Sequence, residues 1–199
     1  MTKFVFDLDG TVTAAETLPI IAKHFDVAAE IDALTEQTVA GNIPFMDSFI
    51  RRVFLLGKLP VTEVADLLEK TPLYSKVVEF IAGHREDCFI ATGNIDAWVE
   101  KLVARIGCTA FCSQGLIENN NVKKLTRILK KENIVERFKN AGERVVFVGD
   151  SNNDMEAMRL ADVSIASGLA HYPAKSVLTV ADYLIFDEEA LCRQLNRLC

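Results

Sequence analysis

The sequence predicts an α/β fold: a doubly wound parallel sheet with a small helical cap inserted after the first strand. Three observations predict it. A short apolar segment opens the chain in KFVFDLDG, helical spacing alone fills residues 14–71, and strand-like and helix-like segments alternate from residue 72 onward. Such alternation is typical of a parallel sheet with helices on both faces. The expected domains are a core of residues 1–13 and 72–199 and a helical cap of residues 14–71.

The individual elements follow from apolar periodicity. The cap shows about four helical segments in a row, with no strand between them. Beyond it, the predicted strands are 88–91, 145–148, 163–165 and 183–186, with a weaker strand near 110–111. We also expect a helix over 122–129, because its apolar residues recur at helical spacing, and a last helix carrying Leu191, Leu195 and Leu198.

Charge and composition exclude several functions. The 22 basic and 28 acidic residues give a net charge of −6, which argues against a nucleic-acid partner. No apolar run approaches the roughly 20 residues that cross a bilayer, so no membrane association is expected. The five cysteines form no C-x-x-C pair, and the N-terminus has no signal-peptide pattern. We therefore expect a cytoplasmic protein with reduced thiols.

The first motif with chemical content is DLDGT, residues 7–11, directly after the first predicted strand. Alternate residues of an extended segment point the same way, so Asp7 and Asp9 are expected to face one crevice. The helical insertion leaves and rejoins the chain near this strand's carboxyl end, where ligands bind in open α/β sheets. The cap is therefore expected to cover the crevice.

A second acidic turn, GDSNND at 149–154, follows the predicted strand 145–148. By itself it is equally typical of a solvated turn that caps a helix. Beside DLDGT, however, it would gather four carboxylates, which repel one another strongly unless a cation lies between them. Oxygen ligands with no histidine or cysteine nearby favour Mg²⁺. The two turns together predict a magnesium site.

FDLDGT followed by GDSNND resembles the haloacid dehalogenase superfamily, and the resemblance covers essentially the whole chain, including the place of the cap. It implies a Rossmann-like core and a Mg²⁺-dependent phosphatase that acts on a small-molecule phosphomonoester. Within the superfamily, the sequence is most similar to the phosphoserine phosphatase branch. We expect a monomer or a homodimer.

The resemblance assigns roles to the acidic residues. Asp7 would be the nucleophile that becomes an aspartyl-phosphate. Asp9 would be the general acid that protonates the leaving oxygen and then activates water. The metal would be held by Asp7, the Asp9 backbone carbonyl and Asp150, with support from Asp154 and Asn153.

Two more positions are expected to contact the phosphate. Thr92 ends the predicted strand 88–91, where a hydroxyl and backbone N–H groups suit a phosphoryl oxygen. Capping of the next helix is the alternative role for Thr92, and the two roles are compatible. The family also has a lysine at the start of a later helix. Lys123 and Lys124 are both candidates, and the sequence leaves this choice open.

For an amino-acid substrate, the resemblance points to the cap. Glu16 lies nine residues after Asp7, and Phe45 and Arg52 are seven residues apart, as in the phosphoserine phosphatase branch. A carboxylate would bind the substrate's ammonium group and a guanidinium its carboxylate. The other expected substrate contacts are Thr92, Gly93, Asn94 and Asn153.

Two departures from that branch leave the substrate open. Asn94 stands where a second glycine is usual, and only a short Asn-rich link joins Cys112 to Lys123, where a longer β-hairpin is usual. Phosphoserine or a similar amino-acid phosphate is expected; the alternative is another small phosphorylated metabolite, such as a methionine-salvage phosphate ester. A phospho-accepting receiver module and a non-catalytic binding protein are alternatives of other classes, although receivers have no helical insertion.

Overall fold

The sheet at the centre of the protein has strands from both ends of the chain. The computed structural model describes residues 1–39, 42–43 and 45–199, without the side chains of residues 35, 38, 39 and 45. Within these residues there are seven strands: β1 (Thr2–Phe6), β2 (Cys88–Ile95), β3 (Thr109–Glu118), β4 (Asn121–Arg127), β5 (Arg144–Gly149), β6 (Val163–Ser167) and β7 (Tyr183–Ile185).

The strand order explains where a ligand site forms. The order is β4-β3-β2-β1-β5-β6-β7, and all neighbouring strands are parallel except β3 and β4. Successive strands are added to the sheet on one side of β1 as far as β4 and on its other side from β5 onward. The order of strand addition therefore switches between β1 and β5. A crevice opens at such a switch point, at the carboxyl ends of the strands. The α/β prediction is confirmed.

The helices surround this sheet. Their bounds are α1 (Thr17–His24), α2 (Ala28–Val39), α3 (Phe45–Leu56), α4 (Val61–Leu68), α5 (Ser75–Gly83), α6 (Asp96–Ile106), α7 (Lys131–Asn140), α8 (Met155–Leu160), α9 (Lys175–Leu178) and α10 (Glu188–Leu198). A single 3₁₀ turn, Asn152–Asp154, precedes α8. Among the helices that the structure describes, none combines the length and the apolar character of a membrane span.

The first four helices lie between β1 and α5 with no strand among their described residues. An antiparallel bridge joins Thr13 to Leu73, so the two ends of this helical run lie side by side. Helix α4 packs against α6, which connects the run to the sheet side of the protein. This is the arrangement expected of an insertion, while the division into a core and a cap at residues 14–71 stays a prediction.

Alternation along the central strands builds a core on each face of the sheet. In β1, Phe4 and Phe6 pack on the face that carries α1 to α6 and α10, whereas Val5 packs on the opposite face. Strand β5 repeats this pattern, with Val146 on the first face and Phe147 on the second. Each of these side chains is essentially fully buried, worth about 2 kcal/mol apiece. The acidic turns therefore extend from strands that are buried on both faces.

The predicted helix over 122–129 is wrong. Residues 121–127 instead form β4, which pairs antiparallel with β3, and Asn119 and Asn120 make the turn with φ of 50° and 65°. Asparagine tolerates the left-handed region better than most residues do. The turn docks on the helical run: the Val61 N–H donates to the Asn120 carbonyl at 2.7 Å. Pairing with β3 thus overrides the local spacing, and the hairpin expected to be absent is present.

Candidate active site

The two acidic turns meet at the switch point between β1 and β5. Asp7 follows β1, and its N–H donates to the Val148 carbonyl on β5 at 2.8 Å. Asp150 follows β5 directly. One carboxylate oxygen each of Asp7, Asp150 and Asp154 lie within 4.8 Å of one another, and all three residues are buried. The structure therefore brings together the residues from both motifs.

Two glycines make this approach possible. A Cβ on Gly149 would lie 2.6 Å from the Asp154 Cγ, a separation that real Cβ atoms do not show. Gly10 has a φ of +67°, and a side chain there would meet Asp150 and Glu16 at 3.2 Å. Both turns thus depend on glycine to hold the carboxylates close together.

The cation beside these carboxylates is Lys131, the first residue of α7. Its Nζ donates to the Asp7 Oδ1 at 2.5 Å and to the Asp154 Oδ1 at 2.6 Å, and the residue is 3% exposed. Lys123 and Lys124 instead lie on β4 with exposed side chains, so the prediction for these two lysines is corrected. The expectation of a lysine at the start of a later helix is met by Lys131. The prediction pointed to the wrong lysine because the sequence predicted a helix where residues 121–127 form β4.

Burial and mutual repulsion dominate the electrostatics of this cluster. Burial raises the pKa of Asp7 well above its ordinary value, and the Asp154 charge adds to the rise, while Lys131 opposes it. Burial and then the Asp154 charge raise the pKa of Asp150 to about 7. Burial disfavours the charged form of Lys131, but its two carboxylate partners outweigh burial and raise its pKa. When all three carboxyl groups are ionised, one ammonium leaves net negative charge in a buried site, which is why the pKa values of Asp7 and Asp150 are raised.

These donors fit a divalent cation with a preference for oxygen ligands. Asp7 and Asp150 are the residues that would hold it. Both oxygens of Asp154 already have protein donors: Oδ1 accepts from Lys131, while Oδ2 accepts from the backbone N–H groups of Asp150 at 3.1 Å and Ser151 at 3.0 Å. Asp154 therefore fixes the loop that carries Asp150. Thr11 also donates to the Asp150 Oδ1 at 3.3 Å.

Asp9 has a different environment from Asp7. Neutral groups hold its carboxylate: Oδ1 accepts from the Thr17 N–H at 2.7 Å, and Oδ2 accepts from the Asn94 Nδ2 at 2.6 Å. Burial and then the Glu16 charge raise the pKa of Asp9 to about 6, although hydrogen bonds from Thr17 oppose the rise. A carboxyl with a pKa of about 6 is suited to give and take a proton near neutral pH.

Thr92 lies on β2 at the edge of the site and is 1% exposed. Its hydroxyl oxygen accepts the Asn94 N–H at 3.1 Å. The N-terminus of α6 has Ile95 at its cap position, so Thr92 does not have the helix-capping role. The Thr92 O–H hydrogen thus stays available to a phosphoryl oxygen.

The residues predicted for an amino-acid substrate lie at the cap side of the same crevice. Glu16 precedes α1, and Arg52 lies on α3, half-buried, where the Glu16 charge acts on its guanidinium. Neighbouring Arg51 is exposed, whereas Arg52 lines the crevice. The Phe45 side chain lies outside the described residues. Phe49, one helical turn later, is buried and would contact a Cβ on Gly93 at 3.8 Å.

Among the residues at the site that sequence reasoning missed, two carry ionisable side chains: Lys131 and His171. The His171 Nε2 lies 3.1 Å from both the Glu16 Oε1 and the Asp150 Oδ2, with its side chain 45% exposed. Burial lowers its pKa, but bonding to the Tyr172 carbonyl and to Glu16 raises it overall. A lone histidine in the loop after β6 has no spacing signal, so only the fold reveals this contact.

The crevice encloses about 160 Å³. Its walls carry nearly all the remaining predicted residues, and the lining is Asp7, Asp9, Glu16, Leu18, Phe49, Arg52, Thr92, Gly93, Asn94, Ser151 and Asn153. A space of this size, with carboxylates on one side and a guanidinium on the other, suits a small charged ligand.

Several known proteins are similar to this chain in sequence. The sequence pattern of the haloacid dehalogenase-like hydrolases matches residues 2–162. A phosphoserine phosphatase of Archaeoglobus fulgidus is 30% identical over 92% of this chain and 56% of its own length. One of Methanocaldococcus jannaschii is 28% identical over 81% of this chain and 83% of its own length. The chain thus spans little more than half of the first of these relatives.

A solved structure has the same fold. A substrate-bound phosphoserine phosphatase complex superposes with a TM-score of 0.81 at 22% identity, over 100% of this chain and 98% of that one. At this identity the likeness concerns the fold alone. The matched pattern covers most of the chain, including both acidic turns, and on that basis the chain belongs to the haloacid dehalogenase-like hydrolases.

Proposed function

We propose that this chain is a Mg²⁺-dependent phosphomonoester hydrolase that works through an aspartyl-phosphate on Asp7. One observation carries the proposal. Two carboxylates two residues apart have opposite environments: Asp7 faces Lys131 and the acidic cluster, whereas Asp9 is held by neutral donors. Burial raises the pKa of both groups, but only Asp7 has an ammonium partner and a place for a cation beside it, and both favour the ionised form that a nucleophile needs.

In the first step, a carboxylate oxygen of Asp7 attacks the phosphorus. The bond between phosphorus and the ester oxygen breaks, and Asp9 gives its proton to that leaving oxygen. The alcohol departs and Asp7 carries the phosphoryl group. In the second step, Asp9 removes a proton from water, the water oxygen attacks phosphorus, and the bond to Asp7 breaks. Inorganic phosphate leaves, with Asp7 again a carboxylate and Asp9 again protonated.

Charge neutralisation is the physical requirement of this chemistry, because an anionic carboxylate attacks a phosphate dianion. Bound Mg²⁺ on Asp7 and Asp150 would supply part of that neutralisation. Lys131 supplies the rest from the chain itself, since its ammonium group already contacts Asp7. Thr92 would donate its hydroxyl hydrogen to a phosphoryl oxygen.

For the substrate, we propose phosphoserine or a similar small amino-acid phosphate. Arg52 and Glu16 line one small crevice with Asp7, and they offer partners for a carboxylate and an ammonium group. The relatives named phosphoserine phosphatase support this choice. Helices α1 to α4 would act as the cap that admits substrate and then excludes bulk water.

A different small phosphorylated metabolite is the second candidate. It is favoured by one contact: Glu16 already has His171 beside it at 3.1 Å, so its carboxylate is not reserved for a substrate ammonium group.

A panel of phosphomonoesters with and without Mg²⁺ tests the proposal. It includes phosphoserine and an aryl phosphate whose ring carries no charged substituent. We expect metal-dependent release of inorganic phosphate. In Arg52→Ala, KM for phosphoserine should rise by about 10- to 100-fold, because a charge-assisted hydrogen bond is lost, while KM for the aryl phosphate changes little.

Arg51→Ala is the matched control, since Arg51 is exposed. Equal losses with phosphoserine and the aryl phosphate in Arg52→Ala would contradict the amino-acid substrate. An absence of phosphate release from every ester, with and without metal, would contradict the hydrolase itself.

A further inference from the structure

Asn94 occupies an unusual place in strand β2. Along the β2–β3 ladder, Thr92 pairs with Cys112 and Ile95 pairs with Ser113. Residues 93 and 94 therefore have no partners in the ladder and bulge out of β2. Bulges redirect side chains and are frequent beside active sites. Here the bulge directs Asn94 across the crevice toward Asp9 and the start of α1.

The Asn94 amide is committed to Asp9. Its Nδ2 donates to the Asp9 Oδ2 at 2.6 Å and to the Thr17 Oγ1 at 2.9 Å, with a longer contact to the Thr92 Oγ1 at 3.3 Å, so both of its hydrogens are engaged. The backbone N–H of Asn94 donates to the Thr92 Oγ1 at 3.1 Å. One asparagine thus links β2, the loop after β1 and helix α1.

The other end of the same amide has no partner. Asn94 is 5% exposed, and its Oδ1 is buried without a hydrogen-bond partner in the described part of the chain. An unpaired buried carbonyl oxygen is costly, and few exist in native proteins. Turning the amide around would place the Asn94 oxygen against an oxygen of ionised Asp9, the form that remains after the proton has been given. The amide orientation thus keeps the hydrogen bond from the Asn94 Nδ2 to Asp9 and leaves the Asn94 Oδ1 without a donor among the residues that the structure describes.

Asp9 is held from two sides as a result. The Thr17 N–H fixes Oδ1 at 2.7 Å and Asn94 fixes Oδ2, so rotation of the carboxyl group would break one bond or both. Each carboxylate oxygen has two lone pairs, and the Asn94 amide, the Thr17 N–H and the Thr17 side chain occupy most of them, which restricts where a proton can sit. The clamp fixes the direction in which Asp9 presents that proton.

We propose that Asn94 is a positioning residue that sets the orientation of Asp9 for proton transfer to the leaving oxygen. The inference rests on the proposed hydrolase function and adds a residue that acts only through Asp9. This role differs from that of a residue that only contacts the substrate. A substrate contact would affect binding and not the departure of the leaving group.

The leaving group provides the test. Departure of an alkoxide needs a proton from Asp9, whereas a nitrophenolate departs without one. In kcat/KM, which reports the steps up to that departure, Asn94→Ala should lose about 10- to 100-fold with phosphoserine, part of what general acid catalysis contributes. With p-nitrophenyl phosphate, kcat/KM should fall by less than about 3-fold, since little general acid assistance is lost.

Two further variants sharpen the measurement. Asn94→Leu keeps a side chain of similar shape and removes the donor without adding a charge, so it should show the same selective loss, and it replaces Asn94→Ala if that variant does not fold. Asn196→Ala removes an exposed asparagine on α10 whose Nδ2 donates to the Cys192 carbonyl, and should match the wild type.

The possible results separate cleanly. A selective loss of kcat/KM for the alkyl ester supports the role of Asn94. Equal losses for both esters, or a rise in KM alone, would overturn it while leaving the hydrolase intact. If the wild-type protein hydrolyses neither ester with Mg²⁺ present, the proposed function fails first, and that outcome is recognised before any variant is made.

Discussion

Two cavities on this protein contrast in size and in chemistry. A groove of about 550 Å³ lies between α3 and β4, and its walls include Val53, Phe54 and Val122. The crevice at the switch point encloses only about 160 Å³ but contains Asp7 and Asp9. The larger space is mostly apolar, while the smaller one gathers buried groups with shifted pKa values.

The contrast shows that charge convergence, and not volume, marks the site. A large apolar pocket is the usual first choice for a ligand. A phosphomonoester is small and doubly charged, however, so it needs fixed donors and cations close together. The lysines repeat the contrast: Lys123 and Lys124 line the groove and are exposed, whereas Lys131 is buried and contacts Asp7 of the crevice.

The largest expected effect is from Asp7→Asn in the crevice. An amide is not a nucleophile, so turnover should fall by at least about 10⁴-fold. The fold should remain, because the amide oxygen still accepts from Lys131. Steady-state phosphate release measures this, with Asp32→Asn on the exposed face of α2 as the control. Turnover within 10-fold of the wild type would remove Asp7 from the reaction.

Lys131→Met and Lys124→Met compare the crevice and the groove directly. Lys131→Met leaves Asp7 and Asp154 buried beside each other without their cation, so the free energy of unfolding should fall by about 3–5 kcal/mol. Lys124→Met should change it by less than about 0.5 kcal/mol, because that side chain is exposed. Urea unfolding at neutral pH measures both. Similar losses in the two variants would contradict the contrast.

The dependence on pH tests the electrostatics of the crevice. Burial raises the pKa of Asp9 to about 6 and that of Asp150 to about 7, from an ordinary 3.8. Both groups therefore bind protons more readily in the folded state than in the unfolded state. The metal-free protein should lose stability as the pH rises from the ordinary value of 3.8 to about 7. Bound Mg²⁺ needs the deprotonated carboxylates, so its stabilising effect should grow over the same window.

Thermal unfolding with and without Mg²⁺ measures this effect. At about 100 times Kd the gain should reach about 2.7 kcal/mol near pH 7.5 and be smaller near pH 5.5. Asp150→Asn should abolish most of it. An equal gain at the two pH values would show that the ion binds elsewhere.

The smallest effect is expected in the groove. Phe54 is 67% exposed on α3, so Phe54→Ser should change the free energy of unfolding by less than about 0.5 kcal/mol and leave phosphate release unchanged. Val53→Ser, at a neighbouring position that is 3% exposed, is the destabilising counterpart. A large loss of activity in Phe54→Ser would give the groove a part in the reaction.

Sequence reasoning worked where a signal lies within one element or its adjacent turn. Asp7 and Asp9 directly follow a buried strand, and Asp150 follows another, so parallel pairing was enough to expect them together. It failed at residues 122–129, where apolar spacing is typical of a helix but β3 supplies a partner strand. The same error led to Lys123 and Lys124 in place of Lys131, because the later helix was predicted to begin too early in the chain.

The sequence by itself determined the alternation of strands and helices, the helical insertion and the two acidic turns, because periodicity and glycine-bearing turns are local properties. Tertiary structure decided which cation meets Asp7, that Asn94 clamps Asp9, and that His171 reaches Glu16. These contacts join residues 85 to 155 positions apart. Strand order and the bulge in β2 bring these residues into contact. A local sequence pattern cannot predict contacts between residues so far apart in the chain.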